Sequence, residues 1–131
     1  MSSELVQRAG VVSPRRLPLS ARAATMALFF VNGATFATWG IHIPTVKARF
    51  GLSEASLSLA MFMVAAGAIV AMKFAGSWAA RIGTRRASVQ AGVAFGVMTA
   101  LIMLMPSYPS LLAVLLLFGI TKAGFDVAMN A

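Results

Sequence analysis

The sequence has no cysteine, three acidic residues and one histidine, and these shortages exclude several kinds of chemistry. Without cysteine there is no disulfide and no thiolate metal site. His42 alone cannot hold a metal, so neither a metal nor a cofactor is expected. Glu4, Glu54 and Asp126 are too few and too scattered for paired-carboxylate catalysis, so the chain does not read as an enzyme. Charged residues make up only 11% of the 131 positions. A soluble domain carries about a quarter, and a chain this short of charge cannot cover a water-facing surface. The net charge of +8 suggests a nucleic-acid binder. Most of its arginines are confined to two short stretches, however, and no face mixes aromatic with basic residues, so nucleic acid is not expected as a partner.

What the sequence does have is apolar length: 60% of residues are hydrophobic and the mean hydropathy is +0.86. Residues 1–23 form a polar arm with Arg8, Arg15, Arg16 and Arg22, and with Pro14 and Pro18. Four apolar runs follow. The first, ATMALFFVNGATFATWGI, holds 18 uncharged residues. At about 1.5 Å per residue it spans roughly 27 Å, close to a ~30 Å hydrocarbon core. Pro44 is expected to stop that helix. The second run follows Ser53, a candidate N-cap, and tolerates Lys73. The third ends at PSYPS, whose prolines and serines mark a turn. The fourth carries Lys122 and Asp126.

Four such runs leave no surface for a soluble protein. The expectation is an all-α integral membrane protein with four transmembrane helices at about 24–43, 54–80, 86–105 and 109–130, in a transmembrane region spanning 24–131. A basic arm before an apolar run also suits a signal peptide. No A-x-A site follows, and three more spans do, which argues against cleavage. Lys and Arg counts set the orientation. Seven lie in the arm and at 81–86, and two, Lys47 and Arg49, lie on the other side. The N-terminus and the 81–86 turn are therefore expected in the cytoplasm.

Functional candidates are polar groups at membrane depth, because burying them is costly. Asn32, Thr35 and Trp39 recur at spacings of three and four and share one helix face. That face either lines a water-filled cavity or bonds to a neighbouring helix. Lys122 and Asp126 lie one turn apart and can pair. Two readings stand for them: a proton- or substrate-coupling site, or a pair near the interface with Lys122 snorkelling. Gly92 and Gly96 fit a close helix crossing, as do Gly67, Ala71 and Ala75.

The stretch GSWAARIGTRR, Gly76 to Arg86, carries a resemblance. The major facilitator superfamily has G-x-x-x-D-R-x-G-R-[RK]-[RK] between its second and third helices. Gly76, Arg81, Gly83, Arg85 and Arg86 match, Ala80 replaces the acid, and Thr84 replaces a basic residue. Residues 24–131 thus resemble the first four helices of such a transporter, part of its N-terminal half. WGIHIPTVKARFGLSEASLSLA and GFDVAMNA resemble a poorly characterised bacterial branch near the fucose-permease-like group, with Asp126 and Asn130 at matching positions. His42 stands where that branch has arginine, and Lys122 where a small residue is usual.

The resemblance implies a secondary transporter working by alternating access on a small solute, with protons as a possible partner beside the lipid bilayer. It implies that Gly76 lets its helix approach a neighbour and that Gly83 makes a tight turn. It also implies that the three arginines bias the inward–outward equilibrium. A family member has about twelve helices, so the chain reads as a fragment, inactive alone and missing the remainder of the transporter. The alternative is a small four-helix membrane protein, either a homodimeric exporter or a helix-packing partner without transport. Such exporters use a membrane-embedded Glu in their first helix, and no acid lies between Met26 and Gly51.

Overall fold

The computed structural model describes residues 18–131. Arg8, Arg15, Arg16 and most of the expected N-terminal arm lie outside them. Four helices follow in order: α1 (Leu19–Phe50), α2 (Glu54–Ile82), α3 (Thr84–Leu104) and α4 (Tyr108–Asn130). Each is long and apolar enough to cross a membrane. Within lipid every backbone polar group must be satisfied inside the segment, and a helix does this.

α1 is 32 residues long and continues past Pro44. This corrects the expectation that the proline ends it. A proline in a helix interior costs about 3 kcal/mol, and the residues beyond it offset that cost by tertiary contacts. Val46 is buried, Lys47 pairs with Glu54 at the start of α2, and Arg49 donates to the Met103 carbonyl near the end of α3. Cations suit helix C-terminal carbonyls. Gly51 is the true stop: its N–H bonds to Ala48 O and that of Leu52 to Lys47 O, a Schellman ending.

The Ser53 side chain accepts from the Ser56 N–H at 3.2 Å and caps α2. At the far end of α2 a single residue, Gly83, separates it from α3, with φ +86° and ψ 140°. L side chains avoid this region, so Gly83→Ala should cost about 1–3 kcal/mol. Chemical unfolding of the purified chain in mixed micelles measures this. A loss below a few tenths of a kcal/mol would mean that the joint is relaxed. Ser107 and Ser110 form a reciprocal capping box at the start of α4, with Pro109 in the first turn. The Tyr108 hydroxyl donates to Ser56 O at 2.7 Å and ties this end of α4 to α2.

α4 is the most buried helix and α1 the least. α4 packs along α2 and α3, whereas α1 rests more lightly on α3 and α4. The α2–α4 crossing is a backbone contact. A Cβ on Gly67 would meet Leu116 O, and one on Gly119 would meet Val64 O. Ala71, Ala75, Ala79 and Ala123 continue this seam as buried small residues. In lipid, where apolar surface has no reason to leave its surroundings, such close packing is what joins helices. Gly76 meets nothing within 4 Å, so the close approach expected of it belongs to Gly67. The expected Gly92–Gly96 crossing is divided as well. A Cβ on Gly92 would lie 3.2 Å from the Phe125 ring, and one on Gly96 would meet open space. The core centres on Phe118, whose ring lies 5.0 Å from that of Phe95 and 6.0 Å from that of Trp39.

Candidate functional site

The polar residues of α1 and α4 meet inside this apolar frame. Lys122 and Asp126 are one turn apart on α4, and the ammonium bonds to Asp126 Oδ2. Asn32 reaches across from α1 and donates its amide N–H to Asp126 Oδ1 at 2.6 Å. Both carboxylate oxygens therefore hold a donor, one from each helix. The Lys122 ammonium also lies 5.3 Å from the centre of the Phe36 ring, within cation–π range. Asn32 and Phe36 are themselves one turn apart, so one turn of α1 faces one turn of α4.

Two features leave this group open to a ligand. The Asn32 carbonyl oxygen is shielded from solvent and has no hydrogen-bond partner. An acceptor in that state lacks the compensation that burial normally requires. The Lys122 and Asp126 side chains keep 23% and 34% of their surface accessible, so the ion pair is reachable from one side. Asn130 stays out of the carboxylate group, since its amide N–H donates to the Asp126 backbone carbonyl at 2.8 Å.

A cleft of about 450 Å³ opens between α1 and α3. Thr35, Thr38, Trp39 and His42 line it from α1, and Gly96, Thr99 and Met103 from α3. Of the three α1 residues that share a face, Thr35 and Trp39 thus border the cleft, while Asn32 bonds to α4. Thr38 and Thr99 donate their hydroxyl hydrogens to Ala34 O and Phe95 O, and each hydroxyl oxygen keeps its capacity to accept. His42 Nδ1 lies 2.7 Å from Thr38 O. A carbonyl only accepts, so Nδ1 carries the hydrogen and Nε2 of the neutral ring is an acceptor. Thr38, His42 and Thr99 escape a reading of single helices because the cleft exists only where α1 and α3 stand side by side. Thr38 and His42 are four apart, which could have drawn attention to that face.

The arginine-rich turn is built differently. Arg81 lies in the last turn of α2, and Arg85 and Arg86 in the first turn of α3. Among the described residues the ion pairs are Lys47–Glu54 and Lys122–Asp126. The turn arginines thus have no acidic partner among them, and Ala80, at the acid's place, is exposed.

A family model described as Major Facilitator Superfamily matches residues 25–131. Membrane protein MosC of Rhizobium meliloti is 35% identical over 102 residues, which are 78% of this chain and 25% of that protein. An uncharacterized MFS-type transporter of Yersinia pestis is 34% identical over 130 residues, 99% of this chain and 33% of the relative. An uncharacterized transporter of Sinorhizobium fredii is 30% identical over 103 residues, 79% and 27% of the two chains. The chain therefore spans a quarter to a third of the length of these relatives. No solved structure matches it.

Proposed function

This chain belongs to the Major Facilitator Superfamily, and from that premise we propose that its four helices serve a secondary transporter of a small solute. They would act as part of a body that opens alternately to the two sides of the membrane. The observation that carries this reading is the Asn32–Asp126–Lys122 group, which joins α1 to α4 within an apolar bundle. A charge pair at membrane depth is costly and marks an ion or substrate path. A ligand shifts a conformational equilibrium only by interacting differently with the two states. A proton on Asp126, or a cationic solute group beside it, would displace Lys122 or Asn32. Either event loosens the α1–α4 contact. Proton coupling, and inactivity of the four helices without the remaining body, belong to the same proposal. So does a place near the fucose-permease-like branch, which rests on the stretches around Trp39 and Asp126.

Solute movement tests the reading. Membrane vesicles from cells expressing these four helices joined to the remaining body should accumulate or extrude a member of a panel of labelled small polar solutes, and vesicles holding the four helices alone should not. A protonophore should collapse that movement. If no solute moves beyond the empty-vector level with or without a pH gradient, the transport reading fails.

We place the N-terminus and the 81–86 turn in the cytoplasm of a bacterial inner membrane. Lys47 and Arg49 at the opposite end are both engaged by protein groups, whereas among the described residues the turn arginines have no acidic partner. The absence of native cysteine makes this simple to check. Single cysteines at Ser107 and at Thr84 should react with an impermeant maleimide in intact cells and only after lysis, respectively. The reverse pattern would invert the orientation.

A further inference from the structure

An open groove of about 520 Å³ runs along the bundle between α2, α3 and α4. Phe74 and Trp78 of α2, Gln90 and Ala94 of α3, and Ile120 and Gly124 of α4 border it. Its walls are almost wholly apolar, and its size falls within the roughly 300–1,000 Å³ of ligand pockets. A second hollow, bordered by Arg85, Arg86, Val89 and Gln90, adjoins it at the arginine-rich end. Gln90 belongs to both. Arg86, Gln90 and Ala94 recur every four residues, so one face of α3 passes from guanidinium to amide to methyl within about 12 Å. Trp78 stands on the opposite wall, four residues before α2 ends, at the level where indoles meet a membrane interface.

We infer that this groove and its two arginines form a binding site for an anionic phospholipid, with one acyl chain between α2, α3 and α4 and the phosphate at Arg85 and Arg86. Charge complementarity selects the occupant. It must be apolar along the groove and negative at the mouth, where no described residue supplies an acid. A phospholipid with a net negative headgroup meets both conditions. A zwitterionic lipid meets only the first. The site is separate from the Asn32–Asp126–Lys122 group and does not depend on the transported solute.

Trp78 reports on the groove directly. The full chain carrying Trp39→Phe, so that Trp78 is its sole tryptophan, is placed in phosphatidylcholine vesicles. Brominated-chain phosphatidylglycerol or brominated-chain phosphatidylcholine is then titrated in. With each arginine contributing near the surface, the anionic lipid should quench Trp78 at a mole fraction on the order of tenfold lower than the neutral one. Arg85→Gln with Arg86→Gln should abolish the preference, and Arg85→Lys with Arg86→Lys should keep most of it. Free inorganic phosphate should leave the quenching by brominated phosphatidylcholine unchanged. Helical circular dichroism confirms that each variant is folded. Equal quenching by the two lipids in the Trp39→Phe chain would overturn the site, as would a preference that survives the double glutamine variant.

Discussion

Gly119→Val is expected to cost the chain about 3 kcal/mol or more in mixed-micelle unfolding, at the upper end of overpacking losses. Any Cβ at this position meets the carbonyl oxygen of Val64 on the facing helix. That oxygen belongs to backbone, so it cannot swing aside as a side-chain terminus would. α2 and α4 must separate or shear along a seam that also holds Gly67, Ala71 and Ala123. The comparison that isolates the seam is Gly96→Ala. Gly96 lies in a helix with nothing within 4 Å of a built Cβ, so alanine should gain up to about 1 kcal/mol from helix propensity. Should the two variants unfold alike, the α2–α4 contact cannot be the one described.

The second large effect concerns Asp126. Asp126→Leu leaves the Lys122 ammonium without its carboxylate. On insertion scales an unpaired cation at mid-membrane costs about 2.5–3.5 kcal/mol. Part of that is recovered if the lysine stem reorients toward an interface. Asp126→Leu with Lys122→Leu removes both charges and should return stability to within about 1 kcal/mol of the starting chain, because a matched pair is often dispensable for stability. The difference is the coupling between the two sites. Solute movement, measured with the four helices joined to the remaining body, behaves otherwise: both the single and the double variant should stay at background. Recovered transport in the double variant would show that the pair serves stability and not transport. A double variant no more stable than Asp126→Leu would show that the charges do not stabilise each other.

The spans were readable from sequence because uncharged runs of membrane-crossing length have few other uses. The i,i+4 spacing likewise announced that Lys122 could reach Asp126. The approach of Asn32 was not readable, since 94 residues separate it from Asp126 and only the α1–α4 packing brings them together. Helix periodicity placed Asn32, Thr35 and Trp39 on one face but could not say that the face is shared between α4 and a cleft. Pro44 misled for a related reason: local chemistry favoured a stop, and contacts made by Val46, Lys47 and Arg49 overrode it. Small residues posed the converse difficulty. Gly67, Gly76, Gly92 and Gly96 look alike as letters, and only Gly67 and Gly92 have a neighbour close enough to need the missing side chain.

The one-residue joint at Gly83 also has a mechanical meaning. A longer linker would act as a slack tether and let two helices slide independently. With a single residue between Ile82 and Thr84, neither helix can lift, tilt or rotate at that end without pulling the other. α2 and α3 therefore meet at a short elbow. The elbow ties the end of α2 to α3, the helix that walls the cleft together with α1.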